Sequence, residues 1–221
     1  MKTVFLAVIL ITLLSFTACS SAPAPTTTVP NLESPTFTPT TPAPKKITLD
    51  DAPDILNISL LLPSRFEQID SASEGISNKD LGLGSDVSEV QLYMSEDPFQ
   101  MIYGFMAVTA SQIDVAIFDR QIEDDDQMEI AIRDALMAGA SEAGGEATIP
   151  NLNITHPEVG DSAILGEGDI ESFGFYFGFD MIFFRSNKVY VFLYSLSYST
   201  DKVPLLSIAE EIEKRIGSFS Q

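Results

Sequence analysis

The chain contains few of the residues that build disulfide and metal sites, and it has little positive charge. Its 221 residues include one Cys, one His and no Trp, and 12 Lys and Arg stand against 32 Asp and Glu. One Cys excludes an internal disulfide framework and Cys-rich zinc sites, and one His excludes the common multi-His metal sites. The net charge of −20 argues against a nucleic-acid partner, which requires a basic surface. We therefore expect no cofactor, no specific metal site and no binding of nucleic acid.

The N-terminal residues have the pattern of a secretory signal. Lys2 precedes the uncharged stretch Val4–Phe16, whose 13 residues are too few to span a membrane; a helical span takes about 20 residues. Residues 16–19, Phe-Thr-Ala-Cys, resemble the lipobox of bacterial lipoproteins, although Phe16 stands where Leu is usual. The resemblance implies that residues 1–18 are a lipoprotein signal peptide and that Cys19 receives acyl chains such as palmitate.

A low-complexity segment follows this signal. Residues 20–44 contain 7 Pro and 7 Thr with one aromatic residue and one charge. This composition cannot bury a core and favours extended polyproline II, which would reach roughly 75 Å. Residues 19–46 are therefore interpreted as the lipidated Cys and a tether, either a spacer or a linker of no required length. We expect a cell-envelope protein, held by its N-terminal lipid on the outer face of the cytoplasmic membrane or in the outer membrane.

Residues 47–221 form the third part of the chain, which we expect to be a single acidic domain. They hold 9 basic and 31 acidic residues, so their net charge is near −22. The apolar fraction of the whole chain, 45%, is ordinary for a globular protein. A segment of this length is long enough to bury one core of its own.

Two alternating segments, residues 173–183 and 189–198, predict a long aromatic C-terminal hairpin. A two-residue turn at Ser186-Asn187 would place Phe183 opposite Tyr190 and would bring the large side chains to one face. We expect this face to form the core, and part of it could line an apolar pocket. The candidate lining residues are Phe175, Phe177, Phe179, Met181, Phe183, Tyr190, Phe192 and Tyr194.

The remaining periodicities predict strands and helices in an order typical of an α+β fold. The predicted elements are strands at Ile58–Leu62, Ser88–Glu96, Phe99–Thr109 and Ala163–Gly166, and helices at Asp114–Arg120 and Gln127–Ala140. A C-terminal helix is indicated by the apolar stripe Leu205, Ile208, Ala209, Ile212 and Ile216, with Gly217 as its expected end. We therefore expect an antiparallel sheet packed by helices that include the C-terminal one.

Three short motifs of the domain resemble small extracytoplasmic lipoprotein domains, some of which have Mog1/PsbP-like folds. The motifs are G-D-x-A at Gly160–Ala163, F-R-x-N before an apolar strand at Phe184–Phe192, and A-x-x-I at Ala209–Ile212. The resemblance covers roughly residues 158–217. It implies helices packed on a sheet and no particular activity, because turn and core residues carry it.

Catalytic motifs are nearly absent from the domain. The one group that could support nucleophilic catalysis is His156, Asp161 and Ser162, which lie close in sequence. The acidic run at residues 123–126 lacks the loop pattern of a calcium site. We therefore expect a non-catalytic domain that binds an envelope protein or a small molecule. The alternative is a carrier of an apolar small molecule or lipid beneath the hairpin, and a hydrolase-type enzyme comes third.

Overall fold

One antiparallel sheet organises the protein. The computed structural model describes residues 47–48, 50–69, 85–109, 112–142, 144–172, 174–198 and 202–219. The predicted signal peptide, the tether and Cys19 lie outside these residues. Within them, seven strands pair in the order β1-β2-β3-β7-β6-β5-β4. The strands are β1 (Glu67–Gln68), β2 (Ser85–Glu96), β3 (Phe99–Thr109), β4 (Ala147–Thr155), β5 (Ser162–Ser172), β6 (Phe175–Ser186) and β7 (Val189–Ser197).

Four α-helices in the described part of the chain accompany the sheet. They are α1 (Ala52–Leu56), α2 (Gln112–Ile122), α3 (Asp125–Glu142) and α4 (Leu205–Phe219), and a short 3₁₀ turn (Ser59–Leu61) follows α1. The predicted α+β fold, an antiparallel sheet packed by helices including the C-terminal one, is confirmed. Over the same residues, no helix is long and apolar enough to cross a membrane.

Helices cover both faces of the sheet. The face that carries the odd-numbered residues of β6 and the even-numbered residues of β7 is called the aromatic face. On it, Phe179 and Tyr194 are buried together with Leu136 of α3. The opposite face, called the aliphatic face, buries Ile182 and Leu193 with α1 and α4. Because side chains alternate along a strand, one hairpin supplies the core of both layers.

The register of the β6–β7 hairpin differs by two residues from the prediction. The turn lies at Asn187-Lys188 and not at Ser186-Asn187, and Asn187 takes the left-handed φ of 56° that this turn requires. Phe183 consequently pairs with Phe192, and Tyr190 pairs with Arg185. A shift of two residues keeps every side chain on its face. The predicted face is therefore correct, and the predicted cross-strand partners are wrong.

Three further details differ from the sequence prediction. The segment Ile58–Leu62 contains the 3₁₀ turn and no strand, because its first amide donates to the side chain of Gln91 (3.2 Å) instead of to a neighbouring strand. Helix α4 continues through Gly217 and ends two residues later. Strand β4 escaped prediction because Pro150 interrupts it and most of its side chains are exposed, as is common at a sheet edge.

Candidate functional site

Four aromatic side chains form a connected, partly exposed group at one end of the aromatic face. Phe99, Phe175, Phe177 and Tyr198 are called the aromatic patch. The ring of Phe177 stacks on Tyr198 with centroids 4.3 Å apart, and Phe99 and Phe175 meet Tyr198 at 5.4 and 6.0 Å. Phe175 is 56% exposed and Tyr198 is 50% exposed. Contiguous exposed rings of this kind mark contact surfaces in folded proteins.

The patch lies where the strands extend beyond the buried core. Phe177 stands one pleat beyond Phe179, which is completely buried. Phe99 begins β3 directly after the turn Asp97-Pro98 and pairs with Glu96, the last residue of β2; Glu96 and Asp97 are both exposed. The patch is therefore apolar at its centre and acidic along one side. Phe175 and Phe177, which the sequence offered as pocket lining, belong to this open surface.

The rest of the aromatic face is filled with side chains. The enclosed space beside Met181, Phe183 and Phe192 has a volume of about 10 Å³. That volume suits about one water molecule, whereas ligand pockets measure about 300 Å³ or more. The other candidate lining residues pack into the clusters that include α2 and α3; these residues are Phe179, Met181, Phe183, Tyr190, Phe192 and Tyr194. At this place the packing leaves no room for an apolar ligand.

A buried arginine connects two of the motifs that carry the family resemblance. Arg185 donates to both carboxylate oxygens of Asp119 (2.8 and 2.9 Å), to Asp161 (2.7 Å) and to the carbonyl of Asn187 (2.8 Å). Asp161 also accepts the backbone N–H of Asn187 (2.6 Å), and Ser162 stands opposite Arg185 in the strand pair. Burial opposes the charged guanidinium, but its contacts with the two carboxylates prevail and raise the pKa of Arg185. This network joins α2, through Asp119, and the residue before β5, Asp161, to the turn between β6 and β7.

His156 belongs to a separate contact between α3 and β5. Its Nε2 lies 2.7 Å from Oδ1 of Asp125, and its Nδ1 lies 3.0 Å from the carbonyl oxygen of Ala163. The hydrogen bond with Asp125 outweighs partial burial and, with the Ala163 carbonyl and the charges of Asp125 and Glu123, raises the pKa of His156. Because both ring nitrogens face acceptors, the imidazolium form is favoured and neither nitrogen is free to act as a base. Asp161, the other ionisable member of the candidate group, belongs to the arginine network.

The contact of His156 with Asp125 should make the domain less stable as the pH rises. A pKa raised in the folded state gives a stabilisation that is complete below the unfolded value, near 6.5, and lost above the folded pKa. The two side chains are 43% and 61% exposed, so we expect only about 0.2–1 kcal/mol. Urea unfolding at about pH 5.5 and about pH 8.5 tests this, because the loss in the parent should exceed that in His156→Gln. Equal losses in both proteins would contradict the assignment.

Two buried phenols stand side by side in the aromatic face. Tyr103 and Tyr194 pair across β3 and β7, and each is 1% exposed. Among the described residues, neither phenol oxygen has a hydrogen-bond partner. Burial raises the pKa of both, and the charge of Asp180 raises that of Tyr194 further. Both phenols therefore stay neutral at ordinary pH and add no charge to this face.

The acidic run 123–126 lines an open hollow of about 410 Å³, together with Arg120. Oδ1 of Asp124 accepts the backbone N–H of Gln127 (3.1 Å), as a residue at the start of a helix does. The negative side chains also lie at the positive end of α3. In the part of the chain that the structure describes, no group of three or more His, Cys, Asp or Glu side chains could hold a metal ion. The described contacts of this run are those of a helix start, together with the contact of Asp125 with His156.

Sequence reasoning did not identify several members of these sites, among them Phe99 and Asp119. Phe99 and Asp119 were predicted only as parts of a strand and a helix. Each meets its partners through the sheet order, which places β3 beside β7 and brings α2 over the hairpin. The available signal was the Arg of the F-R-x-N motif, because an arginine inside an apolar strand requires an acidic partner.

Comparison with known proteins adds little to this geometry. No protein-family profile and no curated protein matches the sequence. A solved structure that does match is the crystal structure of the extracellular domain of PknH from Mycobacterium tuberculosis. Its TM-score is 0.48 at 10% sequence identity, and the match covers 80% of this chain and 100% of that one. A likeness at this level carries no argument about what the present chain binds.

Proposed function

We propose that this protein is a lipid-anchored, extracytoplasmic and non-catalytic binding domain that contacts an envelope protein through its aromatic patch. The observation that carries the proposal is the exposure of Phe175 and Tyr198, at 56% and 50%, within a connected group of rings. A partner that covered them would gain about 25 cal/mol for each Å² of apolar surface removed from water. Aromatic residues are also enriched among the side chains that dominate binding energy at interfaces.

The charge of the domain restricts the chemistry of the partner. Residues 47–221 carry a net charge near −22, and Glu96 and Asp97 are exposed beside the patch. An acidic protein or an anionic lipid surface would be repelled, whereas a neutral or basic protein segment would not. We therefore expect the partner to present apolar side chains flanked by neutral or basic residues.

The contacts of the candidate catalytic residues support a non-catalytic role. Both ring nitrogens of His156 are engaged, and Asp161 is bound by Arg185 and Asn187. The carrier alternative would need a cavity elsewhere, because the space beside Phe192 holds about 10 Å³. Binding at the open patch requires neither the release of these side chains from their contacts nor the opening of a cavity.

Photo-crosslinking in cells tests this proposal. The full chain carries Phe175→benzoylphenylalanine, and a second chain carries the same group at Leu60, which is 76% exposed in the 3₁₀ turn. We expect a discrete adduct with an envelope protein from position 175 and none from position 60, because only the former lies in the patch. Equal adducts from both positions, or none from position 175, would overturn the proposed contact surface.

Membrane fractionation of the same cells tests the proposed lipid anchor. Cys19→Ser removes the sulfur that acylation needs, so this chain should leave the membrane fraction. Its retention in membranes at the level of the parent would refute anchoring through Cys19. The crosslinking result does not depend on this outcome, so the two parts of the proposal are tested separately.

A further inference from the structure

The aromatic patch has the chemistry that binds proline-rich chain. Its rings meet by stacking and at tilted angles, with Phe177 on Tyr198 and with Phe99 and Phe175 beside them. Extended polyproline II segments bind aromatic surfaces of this kind, partly because they lose little conformational entropy on binding. Residues 23–44 of the same chain contain all seven prolines of the tether.

We propose that residues 23–44 bind the aromatic patch in the free protein, so that a partner must displace them. The displacement step rests on the proposed function, whereas the docking step does not. Glu33 is the only charged residue of this segment, so the acidic domain does not repel it as it would an acidic partner. Phe37 lies between Pro35 and Pro39 and adds an apolar ring to the bound surface.

The tether is long enough to reach the patch. Pro25 lies 22 residues before Ile47, the first described residue. A segment of this length spans about 68 Å as polyproline II. A domain of this length has a radius of gyration of about 16 Å and a diameter of about 40 Å. Pro25 can therefore lie across the full width of the domain, whereas Phe37, ten residues before Ile47, reaches about 31 Å. Docking of Phe37 requires the patch to lie within that distance of Ile47.

Covalent connection favours the tether over any free ligand. A segment joined through a flexible linker is present at an effective concentration of about 1 mM. A dissociation constant as weak as about 1 mM would therefore keep the patch occupied about half of the time. The apparent association constant of a partner would be its intrinsic value multiplied by the fraction of patches that are free of the tether.

Intramolecular photo-crosslinking of the pure protein tests the docking. The mature chain, residues 19–221 with Cys19→Ser, carries benzoylphenylalanine at position 175 or, as the matched control, at position 60. We expect a monomeric adduct that joins position 175 to a peptide within residues 23–44, and several-fold less from position 60. The triple change Pro35→Ser, Phe37→Ser and Pro39→Ser should lower the yield from position 175 several-fold. These three residues precede the domain, so its folding is not at risk.

Each alternative outcome has a defined meaning. Equal yields from positions 175 and 60, no adduct from position 175, or a yield that the triple change leaves unaltered would overturn the docking. An adduct at twice the monomer mass would show that a second copy occupies the patch and would also overturn it. A partner adduct in cells without a tether adduct in the pure protein removes this inference and leaves the proposed function intact. A tether adduct in the pure protein without a partner adduct in cells establishes docking and refutes the proposed contact with an envelope protein.

Discussion

Replacing Arg185 with Met is expected to lower the free energy of unfolding by about 3 kcal/mol. The change keeps the length of the side chain but leaves Asp119 and Asp161 without their cation, and it removes a donor to the carbonyl of Asn187. Breaking a buried ion pair costs about 3–5 kcal/mol. The lower end applies because the two carboxylates are 33% and 50% exposed and can be partly rehydrated.

Urea unfolding followed by circular dichroism measures this effect, because the chain has no Trp to report it by fluorescence. Lys188→Met is the matched control, since it removes one positive charge from an exposed position of the same turn and should change stability by less than about 0.5 kcal/mol. Arg185→Lys should fall between the parent and Arg185→Met, because an ammonium group keeps the charge but cannot bind Asp119 at two points. Equal stabilities of Arg185→Met and Lys188→Met would refute a stabilising role for the network.

Gly160→Ala should destabilise the domain by about 3 kcal/mol or more, for a reason that is steric instead of electrostatic. Gly160 has a φ of 65°, a conformation that costs a residue with a Cβ about 1–2 kcal/mol. A Cβ at this position would also overlap the backbone carbonyl of Arg185, which cannot move without breaking its hydrogen bond to the N–H of Asp161.

Gly144→Ala separates the two contributions. Gly144 has a φ of 83°, but no atom of the residues that the structure describes lies within 4 Å of the Cβ that it would acquire. This control should therefore lose only the conformational part, about 1–2 kcal/mol. Unfolding free energies of the two variants measure the difference directly, and a Gly160→Ala that is no less stable than Gly144→Ala would show that the overlap is relieved at no cost.

The success of the sequence prediction differed between elements for physical reasons. The alternation of residues 189–198 and the stripe from Leu205 to Ile216 specified a strand and a helix, because burial selects apolar residues at the period of each structure. Strand β4 was missed, since a half-exposed edge strand needs no such pattern. The hairpin register was wrong by two residues because Ser186-Asn187 and Asn187-Lys188 both contain the Asn that tolerates a positive φ.

For the candidate sites as well, local pattern was predictable from the sequence and burial by distant elements was not. The sequence identified the large side chains of the hairpin but could not say which of them lie under a helix. Phe179 and Phe175 are two pleats apart on one face, and the first is buried whereas the second is 56% exposed. Coverage by α3 makes that difference, and a pattern along one strand does not contain the position of a distant helix.

By itself, the sequence determined the faces of the hairpin strands and of the last helix, whereas the division into signal, tether and acidic domain stays a prediction. These features follow from local composition and period, which need no knowledge of neighbours. Only the tertiary structure decided that Arg185 binds Asp119 and Asp161, that His156 binds Asp125 and that Phe99 joins Tyr198. Each of these contacts joins elements that the sheet order brings together. Contacts of this kind depend on loop closure and packing, which no local pattern specifies.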